Sequence, residues 1–383
     1  MENSVSKIGG FYSFLASHPH ERDLREAARI AVEVSLKVKQ GERLLIISNP
    51  EPEVAAISGA LYDAGVKAGG CPALIFQPEK SQLDFADAAV ISAMHSRPDI
   101  IISVSADKMG KDPQGIASPY EYDGVKYDSL FHLLLNGEKC CRAFWSPSVS
   151  IDSFIRTVCI NYTELERHCA AIKDALDRAA AVYVTAPGGT DISIGLRSRK
   201  AKSDDGNFSF PGSGGNLPAG ETFISPENGT ARGRICFDGS ISTNKGTIVI
   251  NDPINCLVEN GFVTDIAGGP EAAVLRQTIE AAEKNAHEFE RTGKLPRGSG
   301  AVYAHNAQNI GELGIGLNPN ALISGNMLED EKAFRTCHFA IGMNYDDDAP
   351  SLIHLDGLVK NPTITVVFDN GQEQLIEKDG LLV

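Results

Sequence analysis

Residues 337–357 read CHFAIGMNYDDDAPSLIHLDG, two histidines, a tyrosine and several aspartates set among apolar strand formers. In LIHLDG, His354 and Asp356 stand two apart. On a strand that spacing puts both side chains on one face and Leu355 on the other, which suits two ligands of one metal ion. A solvated polar strand face is the plain alternative, because short His-x-Asp matches recur by chance. In the preceding IGELGIGLNPN, Leu313, Ile315 and Leu317 alternate onto one face, leaving Glu312, Gly314 and Gly316 on the other. Glycine inside a strand gives up packing and entropy. A carboxylate beside bare backbone therefore suggests close approach by a ligand or by another stretch of chain, with a bulge as the ordinary reading.

In HFAIGMNY, His338, Ala340, Gly342 and Asn344 share a face opposite Phe339, Ile341 and Met343. A lone histidine in such a strand is more often a satisfied core residue than a ligand. Tyr345 falls on the apolar side of a regular strand, and it joins His338 only if the chain bends between Gly342 and Tyr345. The fourth segment is GGNLPAGETFISP, where Glu221 opens a β-prone run after a Gly/Pro turn. GSGGN and PGGTD lack the Lys-Ser/Thr of a phosphate-binding loop and do not fit the dinucleotide fingerprint. A G-x-S-x-G nucleophile elbow is also absent.

The elements around these residues divide the chain in two. At 383 residues, length favours two domains, each large enough for its own core. RDLREAARIAVEVSLKVKQG has helical periodicity and ends at glycine, RLLIIS reads as a buried strand, and PEVAAISGALYDAGVKAG as the next helix. CPALIF, ADAAVISAMHS and DIIISVSA repeat the alternation, and AAVYVTA closes it. This texture predicts an α/β N-terminal domain with a parallel sheet over residues 1–186. From 187 to 383 the chain is richer in glycine and turns, with one helix near 270–290. Asn-Gly pairs in NCLVENGFVTDI and TITVVFDNGQEQLIE signal hairpins, so an α+β metal-binding domain is expected there.

Composition narrows the partners. A formal charge of −15 disfavours nucleic acid and anionic membranes, whose binding depends on clustered Lys and Arg. The N-terminal MENSVSKIGGFYSFLASHPHERD has no apolar run long enough for a signal peptide, and no segment reaches membrane-spanning length, so a cytoplasmic location is expected. Eight cysteines are scattered without a C-x-x-C pair and read as mostly buried thiols. On a strand Cys337 would face away from His338, which favours a structural role for it.

Taken in order, NLPAGETFISP, GELGIGLNP, LEDEK with the following HFAIG, and HLDG resemble the aminopeptidase T (M29) family of metallopeptidases, leucyl aminopeptidase-like. The resemblance covers residues 187–383, whereas the N-terminal half agrees only in its strand-helix texture. It implies two divalent metals, Zn, Co or Mn, held by Glu221, Glu312, His338, Tyr345, His354 and Asp356, with Glu312 and Tyr345 also as catalytic candidates. Such a pair polarises a peptide carbonyl and activates water. The implied activity is removal of N-terminal residues from short peptides, in an enclosed homodimer. Glu331 of EDEK also matches and stands as a residue behind the ligands, with helix capping as the alternative. Two departures, the acidic insert 346–348 and Arg335 where relatives often carry glycine, fall near the side expected to meet substrate.

Two other readings compete. The 2,5-dihydroxypyridine dioxygenases resemble this chain in HLD and in GFVTDIAGGPEA, yet place histidine where Glu312 stands and lack His338. A mononuclear Fe(II) site could still be assembled from His338, His354 and Asp356. The last reading is a catalytically silent binding or scaffold protein, against which six retained ligand types argue.

Overall fold

The computed structural model describes residues 20–81 and 84–383. The reading of the extreme N-terminus as lacking a signal peptide falls on residues that, up to 19, lie outside this range. Among the described residues no helix is long and apolar enough to cross a membrane. The chain forms two compact units, one running to Tyr162 and including Gly206–Ala219, the other comprising Thr163–Asp205 and Gly220–Val383.

The first unit is the expected α/β domain. Its five strands are parallel, in the order Gly214–Asn216, Arg142–Pro147, Ile100–Ser105, Arg43–Ser48, Cys71–Phe76. Apart from Arg43 and three serines the two central strands are apolar, and all of their residues but Arg43 are buried, as strands covered on both faces require. The helix Pro52–Lys67 starts where the Glu51 carboxylate accepts from the amides of Glu53 and Val54, and Asp87 caps Ala88–Met94 in the same way.

The second unit is the α+β domain, with two antiparallel sheets. One runs Gly246–Val249, Ser240–Thr243, His354–Lys360, Thr336–Gly342, Ile310–Gly316, Glu221–Ile224, Lys202–Asp204. The other has eight strands and includes both expected hairpins, Ile254–Glu259 with Phe262–Ala267 and Thr363–Phe368 with Glu373–Lys378. Asn260 and Gly261 both take positive φ, 51° and 88°, as a tight turn at Asn-Gly demands. The expected helix is Pro270–Arg291.

Two expectations need correction. The strand Ala179–Thr185 does not continue the parallel alternation but pairs antiparallel with Thr363–Phe368 and Asp191–Gly195. Chain crossings accordingly fall at 162/163, 205/206 and 219/220, whereas the sequence suggests a single one at 186/187. A helix followed by an apolar strand looks the same whichever sheet the strand joins, and of its two partners Thr363–Phe368 lies far along the chain. Cysteine usage agrees with expectation: Cys141, Cys169, Cys236, Cys256 and Cys337 are buried, and all eight are free.

Glu377 lies in the eight-stranded sheet, is 1 % exposed, and its Oε2 has no hydrogen-bond partner. Burial alone pushes its carboxyl up to about 8. An unfolded glutamate releases its proton near 4.5, so this group is neutral to stability in acid and increasingly destabilising as pH rises from 4.5 to 8, by about 1.4 kcal/mol per pH unit. Glu377→Gln should therefore raise Tm much more at pH 8 than at pH 5 in calorimetric melts; equal shifts at both would contradict this account.

Candidate metal centre

Register places the chemistry on one face of the seven-stranded sheet. Glu312 opposes Ala340, which opposes Asp356; Gly314 opposes His338, Gly342 opposes His354, and Glu221 opposes Gly316 on one side and Asp204 on the other. The opposite face carries Leu313, Ile315, Cys337, Phe339, Ile341, Leu355 and Val359, all buried. Period-two alternation thus fixes which side chains meet.

The two glycines beside Glu312 have different visitors. A Cβ on Gly314 would stand 2.0 Å from His338 Nε2, so the imidazole lies directly over that bare backbone. On Gly316 it would stand 2.2 Å from the carbonyl oxygen of Ala333, so the chain at 332–333 crosses there. Close approach by other parts of the protein, a side chain in one case and backbone in the other, explains both.

Glu312 is the hub. Its Oε1 lies 3.2 Å from His338 Nε2 and its Oε2 lies 3.3 Å from His354 Nε2. His338 Nε2 is also 3.5 Å from Glu221 Oε2, and His354 Nε2 is 3.1 Å from Asp356 Oδ1. His354 Nδ1 donates to the Met343 carbonyl at 2.8 Å, which leaves Nε2 as the ligand atom of the neutral ring. Two groups with metal-ligand spacing result, Glu221–Glu312–His338 and Glu312–His354–Asp356, sharing Glu312.

Burial and charge compete at each group. Burial pulls the His338 imidazole down, but the Glu312 hydrogen bond and the Glu221 carboxylate outweigh it and raise it to about 9. Burial opposes His354 likewise, and Asp356 and Glu312 raise it well above the usual range. Burial raises Asp356, yet His354 brings it to about 2. Glu221 Oε2, Glu312 Oε2 and Asp356 Oδ1 are buried without a hydrogen-bond partner. Oxygens left bare on two imidazole-carboxylate clusters fit divalent cations, for which a mixed O/N set suits Zn, Co or Mn.

Tyr345 reaches the site because the strand ends at Gly342, whose φ of +124° turns the chain. The Met343 amide bonds the Ile353 carbonyl and the Tyr345 amide bonds Ser225 Oγ at 3.3 Å. The Tyr345 ring then packs on His354, with centroids 4.8 Å apart, and edge-on to Phe223 at 5.5 Å. The acidic insert holds this bend. Arg199 pairs with Asp348 at 2.9 Å and with Asp346 at 3.3 Å, and Lys202 lies 3.5 Å from Asp346 while bonding the Tyr345 carbonyl. Tyr345 as a whole is exposed, but local desolvation of its hydroxyl and the Glu312 and Asp356 carboxylates push that hydroxyl well above its usual value, so it stays protonated at neutral pH.

Sequence reasoning gave Lys332 and Asp204 no role. Lys332 has no exposed surface, donates to Glu221 Oε1 and Glu331 Oε1, both at 2.6 Å, and lies 3.7 Å from Asp204. A lysine straight after Glu331 in EDEK was the available signal. Glu331, expected behind the ligands, does stand there, its carboxyl pushed up by burial to about 8. Arg335 needs correction: it sits at the far end of the ladder from His354, in a turn with φ +69° that glycine adopts freely, its carbonyl accepting from the Asn361 amide.

A family model described as NicX, 2,5-dihydroxypyridine 5,6-dioxygenase, matches residues 153–340. The match takes in Glu221, Glu312 and His338 and stops short of Tyr345, His354 and Asp356. The curated proteins contain no sequence match. Among solved structures, 2,5-dihydroxypyridine dioxygenase from Pseudomonas putida KT2440 is similar at TM-score 0.67 and 17 % identity, covering 94 % of this chain and 96 % of that one. Wild-type AmpT from Thermus thermophilus is similar at TM-score 0.64 and 16 % identity, covering 95 % and 100 %. The chain shares their fold. A fold hosts more than one chemistry, so activity must be argued from the residues.

Gly314 offers a direct check on this geometry. Gly314→Ala must push the His338 ring aside, so it should weaken metal uptake by the Glu221–Glu312–His338 group while the rest of the sheet still folds; circular dichroism and metal content of the dialysed protein would show it. Unchanged metal content would mean that the ring does not need its place over Gly314.

Proposed function

We propose that the protein is a metal-dependent aminopeptidase acting on short peptides through two divalent cations. The observation that carries the reading is the shared Glu312, with one oxygen facing each histidine and a further carboxylate, Glu221 or Asp356, completing each group. When bound, the cations would supply Lewis-acid polarisation of the scissile carbonyl and a nucleophilic water at neutral pH. Glu221, Glu312 and His338 would hold one, and Glu312, His354 and Asp356 the other, with Tyr345 against the second. The Tyr345 hydroxyl, protonated throughout the working range, is a hydrogen-bond donor for negative charge developing on a carbonyl oxygen. Surrounding carboxylates favour a substrate carrying a free α-ammonium.

A second reading, a mononuclear Fe(II) ring-cleaving dioxygenase, is favoured by the family-model match. Its site would join His338, His354 and a carboxylate. Among the described residues each compact group holds one histidine, not two, which supports the two-metal reading over it.

The purified protein should bind two divalent ions per chain and hydrolyse aminoacyl amides without consuming oxygen, while refusing N-acetylated peptides. One tightly held iron, oxygen uptake with a dihydroxylated ring and no amidase activity would overturn the assignment. Within the site, His354→Ala and Asp356→Ala should each abolish activity and reduce bound metal, and the double variant should be little worse than either single one, because groups sharing one ion act as a unit. Additive losses would separate the two residues.

A further inference from the structure

We propose that Lys332 is a positioning residue for one half of the metal pair, fixing Glu221 so that it presents a single oxygen to the cation held with His338; the inference rests on the two-metal reading above. An ammonium has three donors and no acceptor. Two of them are committed at 2.6 Å, to Glu221 Oε1 and Glu331 Oε1, and the nitrogen stands 3.7 Å from Asp204 Oδ2. With Oε1 engaged, Glu221 keeps only Oε2 for a metal. That atom is buried, lacks a hydrogen-bond partner and lies 3.5 Å from His338 Nε2.

The backbone explains why the lysine can be there. Glu221 is paired with Gly316, and the carbonyl of Ala333 occupies the space a side chain at 316 would fill. The Asn318 amide bonds the Lys332 carbonyl at 2.8 Å and the Phe334 amide bonds the Asn318 carbonyl at 3.1 Å, locking the segment across the strand end. Lys332 therefore enters the site on an immobilised backbone, with three carboxylates around its nitrogen. No hydrogen bond joins Lys332 to the Glu312–His354–Asp356 group, where His354 is oriented by the Met343 carbonyl instead. The two halves of the centre thus depend on different supports.

Removing the lysine has two opposing effects. It frees Glu221 to rotate, which weakens the His338 half, and it removes a positive charge, which would strengthen cation binding everywhere nearby. Asp204 lets the two be separated, because Lys332→Met combined with Asp204→Asn removes a neighbouring carboxyl together with the ammonium, and Asp204→Asn alone shows how much charge that carboxyl contributes. Loss of a residue that orients a ligand costs on the order of 10–100-fold in metal affinity.

The experiment is a Co(II) titration of the metal-free full chain, followed by calorimetry and by ligand-field absorption, for the wild type, K332M, D204N, K332M/D204N, H354A and K332M/D204N/H354A, with circular dichroism as the check on folding. The wild type should take two ions. K332M/D204N should weaken one of them about 10–100-fold relative to D204N and leave the other within about threefold, and K332M/D204N/H354A should keep only the weakened one. Two wild-type-like ions in K332M/D204N would overturn the role of Lys332, as would one ion held at wild-type strength in K332M/D204N/H354A, which would put the dependence in the wrong half. If K332M alone does not fold, the double variant decides. Fewer than two ions in the wild type would overturn the two-metal reading and this inference together, a result distinguishable from failure of the lysine alone.

Discussion

Five carboxylates crowd one side of this sheet, Asp204, Glu221, Glu312 and Asp356 buried on its strands and Glu331 half-buried at the end of the helix Met327–Asp330 beside them, and the rest of the second unit is arranged around that cost. Like charges out of water must be neutralised, paired or protonated. All three answers appear. Lys332 is drawn fully inside and pairs with two of them. The histidines take up protons and face Glu312 and Asp356. Asp204 and Glu331 have their carboxyls raised, by burial first, so that they hold protons more readily. Even so, carboxylate oxygens remain without hydrogen-bond partners. A cluster that gathers this much negative charge and leaves ligand atoms bare is poorly explained as a stabilising device and well explained as a cation site.

Bringing these groups within reach requires space, and glycine provides it at the places where something passes. The His338 ring lies over Gly314, the 332–333 backbone crosses Gly316, and Gly342 admits the Ile353 carbonyl while turning the chain toward Tyr345. Behind this perforated face the central strands present buried apolar residues, among them Leu313, Ile315, Phe339, Ile341 and Leu355. That packed side holds the strands in register, so the polar side can be open without the sheet slipping. Stability and chemistry are thus divided between the two faces of the same strands.

The parts of this arrangement that depend on neighbours along the chain were legible in the sequence. Alternation placed Glu312 with Gly314 and Gly316, and His354 with Asp356, on common faces, and the Asn-Gly pairs gave both hairpins. The bend that brings Tyr345 to His354 was readable only as a possibility, because Gly342 permits it while Ser225, Arg199 and Lys202, far away in sequence, hold it. Lys332 was invisible as a site residue for a similar reason: lysine is rarely buried, and only the crossing at Gly316 shows that this one must be. The sheet joined by Ala179–Thr185 was not legible because one of its two neighbours, Thr363–Phe368, lies nearly two hundred residues away, and the other, Asp191–Gly195, follows a turn that the helix-strand texture does not announce as a hairpin.

Position 312 carries the greatest consequence for what such a fold can do. A carboxylate has two oxygens and can face two cations at once, as the opposed approach of His338 and His354 to Glu312 allows here. An imidazole in that place would present one nitrogen inward and serve one cation, and the ligands around it would then need to converge on a single point. In this chain they do not converge: each histidine has its own carboxylate partner beyond Glu312, Glu221 for one and Asp356 for the other. Lys332 stands behind Glu221, and among the described residues no lysine or arginine forms a salt bridge with Asp356. The number of ions this sheet face can hold is therefore written less in the histidines than in the acid between them.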